Sequence, residues 1–140
     1  MSIQAASTST HDEVMFYDTD AGGVVHNLAY LRMIEFCRTK LAQTIGFDLS
    51  KMMETQQFPV VVQTLAEYRK PARLGDHLIT HGWIEEWGKA RFWCAFEMIR
   101  SEDSSRIMTC RQQLAVVQLP QGRPLRLADL QLTPGVCAGS

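Results

Sequence analysis

Apolar and polar positions along the chain sort into one helix-length segment and several strand-length ones. From Leu28 the apolar residues fall at helical spacing, with Leu28, Leu31, Ile34, Leu41, Ala42 and Ile45 on one stripe and Arg32, Arg38, Thr39, Lys40 and Gln43 off it. Gly46 is a stop signal. About 18 residues at ~1.5 Å each predict a helix of roughly 27 Å, enough to cross a small domain. Asn27 or His26 supplies its cap, and Asn is the stronger capping residue. Ahead of the helix, Val14, Met15, Phe16 and Tyr17 predict a short strand over Asp12 to Tyr17, and Asp18 to Gly23 is dense in turn formers. Behind it, Leu49 to Gln56 reads as a short helical connector whose Met52 and Met53 fill core gaps or line a pocket. Four strand-like runs follow: Pro59 to Tyr68, Leu78 to Trp87, Arg91 to Ile99 and Ile107 to Leu119. The third places Phe92, Cys94, Phe96 and Met98 on one face.

A strand, one long helix and then consecutive strands with short connections imply an α+β layer, a curled antiparallel sheet of about five strands around a central helix. Such a sheet leaves a face and an edge open in a monomer, so a homo-oligomer is expected. The expected organisation is one domain over 12–131, with 1–11 a flexible lead and 132–140 a flexible tail. A length of 140 residues with 46% hydrophobic content supports one core and not two.

Charge narrows the function. Fourteen Lys and Arg against fifteen Asp and Glu give a net charge of -1, which excludes a global field for nucleic acid or an anionic membrane. An anionic ligand would need a local cluster. No apolar run approaches the ~20 residues of a membrane helix, and Ser2 to Thr10 has neither the basic region nor the apolar run of a signal peptide. Cys37, Cys94, Cys110 and Cys137 show no C-x-x-C pairing. Buried, reduced thiols in a cytoplasmic protein fit that pattern.

The candidate chemistry lies at the start of the helix. Asp20 stands in a glycine turn seven residues before Asn27. A helix start offers unpaired backbone N–H groups and partial positive charge, which polarise a carbonyl oxygen. A nearby carboxylate can attack or activate water. Spacing alone leaves open the commoner use of such an aspartate as a turn former. His26 either tunes the carboxylate or acts as base, or it bonds backbone at the helix start. Asp18 either raises the affinity of Asp20 for its proton or braces the turn. Asp18 and Asp20 lack a third metal ligand at a readable spacing, so no metal is expected. Glu35 and Arg38 are placed for a local ion pair, and His11, His77 and His81 have no paired spacing.

Tyr17-Asp18-Thr19-Asp20-Ala21-Gly22-Gly23-Val24-Val25-His26-Asn27, with Tyr30-Leu31 and Glu35-Phe36-Cys37-Arg38, resembles the signature of hotdog-fold acyl-CoA thioesterases of the 4-hydroxybenzoyl-CoA thioesterase type. The nearest branch is the Tol-Pal-associated, YbgC-like one. The likeness continues through Phe58-Pro59-Val60-Val61, Tyr68-Arg69-Lys70-Pro71-Ala72 and Leu74-Gly75-Asp76, and covers Val14 to Leu119. It implies hydrolysis of an acyl-CoA to a free carboxylic acid and CoA, with no cofactor, by dimers that assemble into tetramers. An acyl carrier protein is the alternative carrier. The catalytic carboxylate falls on Asp20 and the carbonyl-polarising backbone N–H on Asn27. The branch commonly has Tyr-His where His26-Asn27 stands, so a side-chain role for its histidine does not carry over.

If the substrate is an acyl-CoA, Gly22 and Gly23 admit its close approach, and Val25 and Tyr30 line its site. Arg69, Lys70 and Arg73, with Lys89 and Arg91, form a basic rim for the CoA phosphates. Trp83, Trp87 and Trp93 stack on adenine or belong to the core or an interface. Another branch uses a helix glutamate, but with Asp20 in place Glu35 is assigned to structure. Two alternatives remain: a hotdog hydratase or dehydratase, which needs an Asp–His pair across the site, and a non-catalytic acyl-binding or scaffold module.

Overall fold

A computed structural model describes residues 3–132. Five long strands form one antiparallel sheet: β1 (Ser7–Glu13), β2 (Gln57–Tyr68), β3 (His77–Trp87), β4 (Arg91–Arg100) and β5 (Arg106–Gln118). Their spatial order is β1-β3-β4-β5-β2, and the short β6 (Arg123–Pro124) adds to β5. Helix α1 spans Asn27–Thr44 and the connector α2 Leu49–Thr55. This is the curled sheet on a central helix that the strand pattern implied, and the four later strands match their predicted ranges to within two residues.

Two departures fall at the N-terminal side. The stretch assigned to a flexible lead holds β1, which pairs with β3 from Ser7 opposite Trp83 to Glu13 opposite His77. Its Ser-Thr-Ser-Thr-His-Asp-Glu sequence has no apolar period, and Thr10 is its one buried residue. Cross-strand pairing and the β-branched threonines hold it instead, and polar residues on an edge discourage further strand addition. The strand expected over Asp12 to Tyr17 therefore ends at Glu13, and Phe16–Asp18 forms a 3-10 turn. At the other end Leu132 packs on the core, while 133–140, with Cys137, lie outside the described residues.

Helix α1 buries Ala29, Tyr30, Met33, Ile34, Cys37 and Leu41. The buried face is rotated from the expected stripe, for Leu28 is 71% exposed. Met33, Ile34 and Leu41 meet Leu78, Phe96, Met98, Met108 and Leu114 in a single core, where each large side chain contributes about 1.5–3 kcal/mol. The helix packs tightly on the sheet at Gly82, where an added Cβ would stand 2.9 Å from both Cys37 Sγ and the Phe96 ring. Arg38 anchors the helix further along, with Nη1 donating to Gln112 Oε1 at 2.9 Å while its Nη2 meets Glu35 at 3.3 Å. The expected Glu35–Arg38 ion pair is thus present. Among the described residues no helix is long and apolar enough to cross a membrane.

Candidate active site

The sequence between the 3-10 turn and α1 folds back on itself as a small hairpin. The Asp20 N–H donates to Val24 O at 3.0 Å, the Gly23 N–H to Asp20 O at 3.0 Å, and the His26 N–H to Asp18 O at 2.9 Å. Gly23 takes φ 76°, a left-handed conformation that favours glycine. The Gly22 N–H donates to Asp20 Oδ1 at 2.8 Å, and a Cβ at Gly22 would come within 3.3 Å of that same oxygen. Asp20 is exposed. Its stem runs beside Val24-Val25-His26, which leads straight into Asn27.

Asn27 is the first helical residue, and His26, not the favoured Asn27, is the cap. His26 has extended backbone angles (φ -83°, ψ 161°), and its Nδ1 accepts the Ala29 N–H at 3.1 Å. An acceptor nitrogen is unprotonated, so the ring proton belongs on Nε2, which faces Tyr17 O at 3.2 Å. Both nitrogens of His26 are engaged with backbone. Neither Asn27 nor Leu28 directs its N–H to a partner among the described residues, which leaves the positive end of α1 open where the Asp20 hairpin runs into it.

The hairpin is tied to the segment ahead of β3. The Val25 N–H donates to Ala72 O at 2.9 Å, Val24 bridges Arg73, and the Ala72 N–H donates to Tyr30 Oη at 2.9 Å. A cleft of about 410 Å³ opens here, lined by Val25, Asn27, Tyr30, Tyr68, Arg69, Lys70 and Pro71. The predicted Asn27, Val25, Tyr30, Arg69 and Lys70 therefore share one cleft, while Asp20, Gly22, Gly23 and Arg73 do not line it; the hairpin of Asp20 joins the cleft wall through Val24 and Val25. Tyr68 was not singled out by sequence reasoning. Its hydroxyl donates to Asn27 Oδ1 and its ring lies 5.4 Å from that of Tyr30. Its position as the last residue of a strand facing the helix start was the available signal.

The proposed basic rim divides. Lys89 and Arg91 sit in the β3–β4 turn, the length of an 11-residue strand from the segment that carries Arg73. At ~3.3 Å per residue that is roughly 35 Å, and they do not join this cleft within one chain. The tryptophans are elsewhere too: Trp87 packs on Phe92 at 4.8 Å, Trp83 on His81 at 5.3 Å, and Arg111 lies 4.4 Å over Trp93.

Asp18 does not converge with Asp20. It is 1% exposed, its Oδ2 accepts the Met15 N–H at 3.0 Å, and its Oδ1 faces Arg32. It braces the turn. Burial raises the thiols of Cys37, Cys94 and Cys110 to about 11, about 12 and about 11, so they are inert core groups and not nucleophiles. His77 bonds Glu102 at 2.8 Å and His81 bonds Ser9 at 3.1 Å, and neither lines the cleft. A second, apolar cavity of about 190 Å³ lies at the far end of α1, lined among others by Met52, Phe58, Phe92 and Cys94.

Comparison with known proteins identifies the family and the fold. Residues 14–132 match the thioesterase-like superfamily. The chain is 33% identical over 113 residues to the acyl-CoA thioesterase YbgC of Haemophilus influenzae, covering 80% of this chain and 82% of that one. A probable thioesterase from Bartonella henselae superposes with a TM-score of 0.79 at 25% identity, covering 87% of this chain and 99% of that one. A 1,4-dihydroxy-2-naphthoyl-CoA thioesterase from Synechocystis has a TM-score of 0.77 at 20% identity, with 86% and 89% covered, and shares the fold.

Proposed function

The chain belongs to the thioesterase-like superfamily, and from that membership we propose that it is an acyl-CoA thioesterase acting at the Asp20 hairpin. What supports this site is an exposed carboxylate in a hairpin that runs directly into the open first N–H of a long helix, whose first residue lines a cleft with Arg69 and Lys70. The thioester carbonyl oxygen accepts a hydrogen bond from the Asn27 N–H, where the helix dipole favours developing negative charge. Asp20 attacks the carbonyl carbon or takes a proton from the attacking water. The carbon–sulfur bond breaks, CoA leaves as thiolate and gains a proton, and water supplies the oxygen of the product acid. Arg69 and Lys70 hold the phosphates of CoA, or of an acyl carrier protein's pantetheine arm. His26 serves as a cap and not as a base. No step calls for a cofactor or metal.

A hydratase would add water across an enoyl thioester and release no thiol. The expected result is thiol release from acyl-CoA well above the buffer rate, with no hydration of an enoyl-CoA. Hydration without thiol release would overturn the assignment, and neither activity on short, long and aromatic acyl groups would favour an acyl-binding module.

The working unit is a homodimer that assembles into tetramers. Strand β2 is an edge with Val60, Val61, Val62 and Leu65 all 39–45% exposed on both of its faces, an apolar edge that a second copy would cover. Val61→Lys on that edge is expected to shift the sedimenting species towards monomer. A wild-type protein that sediments as monomer at micromolar concentration would contradict the dimer. A reducing, cytoplasmic setting suits the buried free thiols.

A further inference from the structure

The hairpin that carries Asp20 is fastened to the helix that carries Asn27 by a group the reaction itself does not use. Arg32 sits on the second turn of α1. Its Nη2 lies 3.6 Å from Asp12 Oδ1, at the end of β1, and 3.7 Å from Asp18 Oδ1, at the foot of the hairpin. Asp18 is two residues from Asp20 and receives the His26 N–H on its backbone oxygen. We propose that Arg32 is a positioning residue, a cationic clamp between two inward-facing carboxylates that sets the separation of the Asp20 carboxylate from the Asn27 N–H. For its role in turnover the proposal rests on the thioesterase reading; for its role in holding the hairpin it does not.

Charge balance makes the clamp necessary. Asp18 is buried and Asp12 largely so, while Arg32 is half exposed, reaching in from solvent along its aliphatic stem. Two carboxylates against one guanidinium leave net negative charge between β1, the 3-10 turn and α1. Asp12 Oδ2 is buried without a partner, as are the hydroxyls of Thr10 and Thr80. The groups facing Asp12 are Arg32 and Cys37 of α1, Asp18 of the turn and His11 on its own strand. Burial holds the Asp12 carboxyl above its ordinary range; Arg32 pulls it back down and Asp18 pushes it up. Without Arg32 the two carboxylates repel once both are ionised, and the hairpin, held by single bridges where β1 pairs along its whole length, is the weaker side.

The sign for pH follows from this. An acid whose affinity for its proton is raised in the folded state binds more protons folded than unfolded, so its contribution weakens as pH rises. Arg32→Gln removes the opposing pull, and the variant should lose hairpin order and turnover above the ordinary carboxylate range more steeply than the wild type does.

The test is amide hydrogen exchange on Arg32→Gln, Asp12→Asn/Arg32→Gln and wild type, with turnover measured beside it. Arg32→Gln is expected to exchange faster over residues 14–26 while β4 and β5 keep wild-type protection. The double variant, relieved of the repulsion, is expected to recover. Thiol release should fall about tenfold or more in kcat with KM little changed, since misplacement of reacting groups by ~1 Å costs up to ~10²-fold, and it should recover likewise. Unchanged exchange over 14–26 in Arg32→Gln would overturn the proposal, as would a double variant no better than the single one. Absence of thioesterase activity in the wild type would sink the functional reading alone, because exchange still decides the clamp.

Discussion

Gly82→Val is expected to destabilise the protein by about 3 kcal/mol, the upper part of the range for forcing methyl groups into a packed core. The cause is local and has no easy relief. A Cβ at Gly82 would meet Cys37 Sγ and the Phe96 ring at 2.9 Å, and both neighbours are themselves buried. Cys37 lies on the helix and Phe96 on the adjoining strand, so any adjustment must push α1 off the sheet along its length. Glycine within a strand normally weakens it by roughly 0.5–1 kcal/mol relative to alanine, and that gain is the only offset. Thermal unfolding should fall by roughly 10 °C for a chain of this size, scaling at a few degrees per kcal/mol. A midpoint within ~2 °C of wild type would show that the helix does not rest on Gly82.

The same contact explains what periodicity alone could not resolve. Leu28, Ala29, Tyr30, Leu31, Met33, Ile34, Phe36 and Cys37 wrap apolar character around most of the first half of α1, so helical spacing admits more than one stripe. The close approach at Gly82 selects the face with Cys37, and with it Met33, Ile34 and Leu41; Leu28 turns outward. Strands β2 to β5 were legible because turn formers separate them and apolar residues alternate along much of their length. Strand β1 was not, because Ser7 to Glu13 carries no apolar signal and owes its conformation to pairing with β3.

At the site the motif was informative about chemistry and blind to topology. Asn27, Val25, Tyr30, Arg69 and Lys70 line one cleft, and the hairpin of Asp20 leads into its wall without Asp20 lining it. Lys89 and Arg91 look equivalent to Arg69 and Lys70 in a linear sequence, since both pairs lie in turns. Only the direction of β3 shows that the turns stand at opposite ends of the sheet. The cap was misjudged for a similar reason: Asn outranks His on average, yet the extended backbone at His26 aims Nδ1 at the Ala29 N–H. Arg32 carried no sequence signal at all, being one of several polar residues off the apolar stripe.

Asp20→Asn is the substitution with the largest expected effect on turnover. Asn is the same shape, and its side-chain oxygen can still accept the Gly22 N–H that Asp20 Oδ1 accepts at 2.8 Å. The hairpin bonds from the Asp20 N–H and to its carbonyl are untouched. The cleft lined by Tyr30, Arg69 and Lys70 keeps its residues, so CoA binding should be preserved. What is lost is the carboxylate, as nucleophile or as base, and kcat should fall about 10²–10⁴-fold. Such a pattern, binding kept and turnover gone, separates a chemical role from a structural one.

Thiol release from an acyl-CoA panel, measured for wild type and Asp20→Asn at matched folded content with CoA binding in parallel, tests whether Asp20 carries the chemistry. Release by the wild type is expected, with release near the buffer rate by Asp20→Asn and equal CoA affinity for the two. An Asp20→Asn protein that turns over at the wild-type rate would contradict that role.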